Sequence, residues 1–126
     1  MLSLNILVER FCFEVGDVRH GGLIVAEQRN RTLDHQLELA WLQLRVGGTY
    51  YLQGAQIEKR VRDLLIRPKD QNIAGLQLAD LVVSPIGRFV LGKRSQRDFR
   101  IIEAKLRRSP RGVSYMGTGL VILPKE

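Results

Sequence analysis

Two short aliphatic runs with one amphipathic helix pattern between them constrain this chain more than any other feature. Leu23-Ile24-Val25-Ala26 is opened by Gly21-Gly22 and closed by Glu27. A short, β-branched apolar run bounded by turn residues reads as a buried strand. Val61 to Ile66 reads the same way, and Pro68 ends it. Between them, Thr32 is the expected N-cap of a helix with Leu33, Leu37, Ala40, Trp41 and Leu44 on one stripe, stopped by Gly47-Gly48. Strand, helix, strand in that order predicts parallel pairing through a right-handed crossover.

The rest of the chain adds mostly helix. Leu4, Leu7, Val8 and Phe11 repeat at helical spacing over residues 4–15, and Gly16 can end that helix. Tyr50-Tyr51-Leu52 is a short strand or the lead into a loop. A helix is predicted from about Ile73 to Pro85, where proline breaks or kinks it, with a second helical piece reaching Leu91. Residues 92–97 form a basic loop. Phe99, Ile101 and Ile102 open another short element, strand or helix. Gly117, Gly119 and Pro124 bracket a last strand, Leu120 to Leu123. The predicted class is α/β: a few-stranded, largely parallel sheet with helices packed on it, in one domain over residues 1–126. Two clear strands make a thin core, so a missing part of the sheet is expected upstream.

Cellular context follows from absences in the sequence. The start Met1-Leu2-Ser3-Leu4-Asn5 has no basic stretch, and Glu9 and Arg10 interrupt the apolar run, so no signal peptide is read. No apolar run approaches the roughly 20 residues that span a bilayer. The single cysteine, Cys12, allows neither an internal disulfide nor a zinc knuckle and reads as a buried small apolar residue. The expectation is a cytoplasmic protein without a membrane partner.

Gly75-Leu76-Gln77-Leu78-Ala79-Asp80-Leu81-Val82 places one carboxylate in an otherwise apolar helical segment. At about 100° per residue, Asp80 shares a face with Ile73, Leu76 and Val83. A helix apolar nearly all round is usually buried, and a buried carboxylate needs a partner, a metal or a proton. Asp80 is therefore a functional candidate. The alternative is an acid at the helix rim paired with an arginine.

Net charge is +7, and it is concentrated. Residues 1–87 hold ten Lys/Arg and ten Asp/Glu. Residues 88–111 hold nine basic groups against Asp98 and Glu103. Such a segment attracts phosphate backbones by counterion release; the alternative is a solvated face that aids solubility.

Asn72-Ile73-Ala74-Gly75-Leu76-Gln77-Leu78-Ala79-Asp80-Leu81-Val82, followed by Pro85-Ile86-Gly87-Arg88, closely resembles the hallmark of a bacterial family, domain-of-unknown-function 3800, in the ribonuclease-H-like superfamily. Val25-Ala26-Glu27-Gln28-Arg29, with Asp34 beyond, resembles that family's strand-end acid, its arginine and its following acid. Phe99-Arg100-Ile101-Ile102, Lys105 and Gly117-Thr118-Gly119-Leu120 to Pro124 resemble its tail. The family's opening Asp-Glu-Ser-Gly strand has no counterpart here. The resemblance therefore implies a truncated ribonuclease-H-like fold, the C-terminal part of a domain that lacks one expected metal-binding acid.

That resemblance implies a divalent-metal-dependent nuclease acting on phosphodiesters, incomplete and inactive if the missing strand is essential. Such enzymes use two cations about 4 Å apart to activate water and stabilise the leaving oxygen, and Mg²⁺ or Mn²⁺ calls for carboxylate oxygens. Glu27, at the carboxyl end of a strand where open α/β sheets bind ligands, and Asp80, from the helix after the next strand, are implied as catalytic metal ligands. Asp34 is a third or outer acid, or else a first-turn helix acid favoured by the macrodipole. Arg29 and Lys69 bind a scissile phosphate or neutralise the acids. Arg88, Lys93 and Lys105 bind nucleic acid or are solvated surface. Arg107 and Arg108 hold a nucleic-acid backbone and do not touch the chemistry.

Other chemistries find little support. His20 and His35 lack zinc-ligand spacing, Cys12 sits in an apolar helix unsuited to a thiolate, no serine lies in a G-x-S-x-G turn, and Gly16, Gly21 and Gly22 form no phosphate loop. The alternative function is a non-enzymatic nucleic-acid-binding or oligomerising interaction protein. An open sheet edge would pair it with another copy or with a separate N-terminal fragment.

Overall fold

The computed structural model describes residues 2–17, 19–94, 97–112 and 114–123. They form two compact units, residues 1–71 and 72–126. The class is mixed α/β, as expected: a two-stranded parallel sheet and five α-helices.

The first unit holds α1 (Leu2–Val15), β1 (Gly22–Glu27), α2 (Arg31–Gly47), α3 (Gly54–Arg60) and β2 (Val61–Arg67). β1 and β2 run parallel, with Ile24 opposite Leu64, Ala26 opposite Ile66 and Glu27 opposite Arg67. Alternation puts Ile24, Leu64 and Ile66 on the core-facing side, where they join Leu4, Val8, Cys12, Trp41, Leu44, Leu52 and Ile57. The polypeptide passes close to α1 where β1 begins: a side chain at Gly22 would run into the Phe11 ring and have to displace it.

Several local expectations need correction. The N-cap of α2 is Asn30, not Thr32: Asn30 is extended and its Oδ1 accepts the Leu33 N–H at 2.9 Å. The covered stripe of α1 is Leu4, Val8 and Cys12, while Leu7 is 55% exposed. Of the two readings open for Tyr50-Tyr51-Leu52, the lead into a loop is the one found. It leads into α3, a helix that periodicity did not reveal because it spans only seven residues. The loop turns at Gly48, whose φ of 74° favours glycine, and the Gln53 N–H donates to Gln56 Oε1 at 2.9 Å to open α3.

The second unit holds α4 (Ala74–Val90) and α5 (Arg97–Glu103). α4 runs unbroken through Pro85. A proline removes one backbone donor, but here it is buried and the helix continues on either side. The Phe89 and Phe99 rings stack at 4.3 Å between centroids, joining α4 to α5. The segment opened by Phe99 is therefore helix. The expected strand at Leu120–Leu123 is reduced to a single bridge between Met116 and Leu120. Pro124, expected to bound it, lies outside the described residues, as do Ser95 and Gln96 of the basic loop.

The largest correction concerns α4. Its all-round apolar sequence predicts burial, yet Pro85 is its one buried residue, and Leu78, Leu81 and Val83 are 63%, 72% and 65% exposed. Its partly covered stripe is Val82, Ile86 and Phe89 beside Pro85, all in the C-terminal half. No helix among the described residues is long and apolar enough to cross a membrane.

Candidate functional site

Both strands of a parallel sheet end on the same edge, and this edge collects the first group of candidates. Glu27 is the last residue of β1, in register with Arg67 at the end of β2. The Gln28 N–H donates to the Arg67 carbonyl at 2.9 Å, so pairing extends one residue past the strand. Residues opposite one another project from the same face, yet Glu27 and Arg67 form no ion pair. The half-buried Glu27 carboxylate has no hydrogen-bond partner among the described residues.

Asp34 does a different job. Its Oδ1 accepts the Arg29 N–H at 2.9 Å, and its own N–H donates to the Asn30 carbonyl at 2.9 Å. Together with the Asn30 cap, this closes the turn that carries the chain from β1 into α2. Asp34 thus occupies the first helical turn, where the macrodipole favours an acid, and one of its oxygens is already engaged. Arg29 is exposed. Lys69, also exposed, opens the 3₁₀ turn Lys69–Gln71 that follows β2 and Pro68.

Asp80 belongs to the second unit. It is exposed on α4, with the exposed Gln77 and Ser84 on the same polar stripe. The expected burial of its carboxylate is therefore not found. The expected arginine partner is not found either, since none of the ion pairs among the described residues involves Asp80. Glu27 and Asp80 stand in different units, each placed by its own unit's packing.

A hard divalent cation wants several oxygen donors, supplied by carboxylates, substrate phosphate and water. Among the described residues no three His, Cys, Asp or Glu side chains gather into a group that could hold one. Of the candidate acids, Glu27 and a half-engaged Asp34 belong to the first unit and Asp80 to the second. No chemical step follows from a metal held by either unit alone.

The basic segment divides into engaged and unengaged cations. Arg88 pairs with Asp98 at 2.7 Å. Arg108 lies over the Tyr115 ring at 5.4 Å and donates to the Glu103 carbonyl at 3.4 Å. The Tyr115 hydroxyl donates to Glu103 Oε2 at 3.0 Å. Partial desolvation and the Glu103 carboxylate push the Tyr115 phenol above its ordinary pKa, with Arg108 opposing. The two acids of the segment are thus both occupied. Lys93, Arg94, Arg97, Arg100, Lys105 and Arg111 are all exposed and take part in none of the ion pairs among the described residues. Arg107 is half-buried.

One polar site escaped the sequence reading. Glu9 is 6% exposed in α1. Its Oε2 accepts from Thr49 Oγ1 at 2.6 Å and from the Tyr51 N–H at 3.3 Å. The signal available was an acid flanking the Leu4–Val8–Cys12 stripe, but nothing in the linear pattern links position 9 to a loop forty residues away. That loop exposes Tyr50 and Tyr51, whose rings meet edge to face at 4.8 Å.

Compared with known proteins, the chain matches no family model, no curated protein and no solved structure.

Proposed function

We propose that this chain is a nucleic-acid-binding domain of ribonuclease-H-like kind. Its basic segment 88–111 holds a phosphate backbone, and Glu27 and Asp80 are each a ligand for the Mg²⁺ or Mn²⁺ of phosphodiester cleavage. The observation that carries the binding half is the uncompensated charge of that segment. Six exposed cations, Lys93, Arg94, Arg97, Arg100, Lys105 and Arg111, have no acidic partner among the described residues, while Asp98 and Glu103 are already engaged. Cations so disposed release counterions on meeting a polyanion. The nuclease half rests on sequence resemblance and on one geometric point: Glu27 is a carboxylate without a partner among the described residues, at the carboxyl edge of a parallel sheet, where such sheets place ligands.

The two halves separate experimentally. Labelled single- and double-stranded DNA and RNA are titrated with the chain and followed by fluorescence anisotropy. The same substrates are then incubated with Mg²⁺ or Mn²⁺ beside Glu27→Gln and Asp80→Asn. Binding with cleavage abolished by either substitution supports the whole reading. Binding without cleavage leaves a non-enzymatic nucleic-acid-binding protein. Cleavage indifferent to both substitutions removes the assigned site, and no binding at low salt overturns the reading altogether.

A further inference from the structure

We infer that the free edge of β1 is a self-association surface, and that its partner is β1 of a second copy of this chain, running antiparallel. The Gln28 N–H points at β2, where it bonds the Arg67 carbonyl. Backbone groups alternate in direction along a strand, so those of Gly22, Ile24 and Ala26 also face β2. Those of Leu23, Val25 and Glu27 face away, and no third strand meets them among the described residues. A row of unpaired donors and acceptors is a template for another strand.

The sheet has two such edges, and their side chains differ. β2 carries Arg62, Asp63 and Arg67, and its register with β1 slips at Gly22/Leu23. Charges and irregular register are the means by which natural edges resist pairing. β1 has neither protection: from Gly22 to Ala26 it carries no charge, proline or lysine, and Leu23 is 40% exposed. The inviting edge is therefore that of β1.

The choice of a second copy follows from self-complementarity. An antiparallel pair centred on Val25 sets Val25 against Val25, Ile24 against Ala26, and Leu23 against Glu27 of the second copy. The two Glu27 carboxylates then lie at opposite ends of the pair. A parallel arrangement would set them side by side. The antiparallel contact is isologous and closes at two copies, because the outer edges it leaves are the charged β2 edges.

Residue-resolved amide hydrogen exchange on the purified chain, at low and high concentration, tests this directly. The Ile24 and Ala26 amides are held by β2 and are protected at every concentration. The Leu23, Val25 and Glu27 amides gain protection only as concentration rises, while the mass by light scattering climbs from 14.4 kDa toward twice that value. Val25→Pro removes one outward donor without touching the β1–β2 ladder and weakens association by about tenfold or more. Val25→Thr keeps the donor and the branched shape and leaves association intact. A chain that stays monomeric at high concentration overturns the inference, as does free exchange of the outward amides in an associated chain. Equal weakening by the two substitutions also overturns it. Because the exchange pattern is read on the unaltered chain, a misfolded proline variant does not spare the inference.

Discussion

At the scale of single residues, the first unit depends on a buried acid whose role is structural. The Glu9 carboxylate takes the Thr49 hydroxyl at 2.6 Å and the Tyr51 N–H at 3.3 Å, and Thr49 Oγ1 in turn accepts the Leu52 N–H at 3.2 Å. This relay fixes the loop between α2 and α3, where backbone donors would otherwise lack partners. Glu9→Ala leaves those donors unsatisfied and should cost about 1–3 kcal/mol. Glu9→Gln retains an acceptor and should cost less. Urea titration of the two variants ranks them, and equal losses would mean that the carboxylate's hydrogen bonds are not what stabilises the loop. Cys12 offers a second residue-scale test. Its side chain is fully buried, and that burial pushes the thiol above its ordinary pKa, with Arg60 opposing and Glu9 adding. The folded chain therefore keeps the thiol proton at pH values where the unfolded chain loses it. Between the two pKa values the unfolded state binds fewer protons, so stability falls as pH rises. The thiol's contribution is complete below about pH 9 and declines above it. Urea midpoints measured from pH 7 to 11 should fall less steeply in Cys12→Ala than in the parent chain. A thiol reagent at pH 8 should modify Cys12 only on unfolding.

At the scale of elements, the corner from β1 into α2 shows local chemistry setting the helix start two positions before the cap that the apolar stripe suggests. Asn30 and Thr32 are both plausible caps, and the apolar stripe beginning at Leu33 drew the boundary to the nearer one. The stripe reports where the helix is covered and not where its hydrogen bonding starts. The helix begins two residues earlier because Asn30 reaches Leu33 while Asp34 closes the preceding turn on Arg29. Asn30→Ala should cost about 1 kcal/mol, whereas exposed Thr32→Ala should stay within about 0.5 kcal/mol of the parent; thermal melts of both decide between the caps. The same distinction explains which elements could be read in advance. α1, α2, β1 and β2 were legible because each repeats an apolar period against a shared core. α3 was not, since its seven residues bury little more than Gly54 and Ile57. α4 was legible as a helix but not in its exposure. Composition says that Leu78 and Leu81 can be buried; only the packing says that Val82, Ile86 and Phe89 supply the covered stripe.

At the scale of the whole molecule, charge distribution is the property most fully visible in the sequence, because it depends on no packing decision. Residues 1–71 carry ten basic and nine acidic groups, and residues 72–126 carry ten basic and four acidic. The candidate acids were less legible for the opposite reason. Asp34 was open to two readings until its hydrogen bond to Arg29 placed it in a turn, and Asp80 looked buried only because its neighbours are apolar. Packing removes Arg88, Arg107 and Arg108 from the pool of unengaged cations. The six that are left bound the electrostatic footprint. Each phosphate neutralised contributes about 0.7 to the slope of log K against log salt for a single strand and about 0.9 for a duplex. Full engagement of all six therefore predicts a slope of about −4 to −5. Arg97→Gln with Arg100→Gln, both exposed on α5, should reduce its magnitude by about 1.4–1.8. Arg88→Gln, which breaks an internal ion pair, should change it much less. Anisotropy titrations across a salt series measure all three slopes. A double variant with the parent's slope would show that the nucleic acid is held elsewhere on the chain.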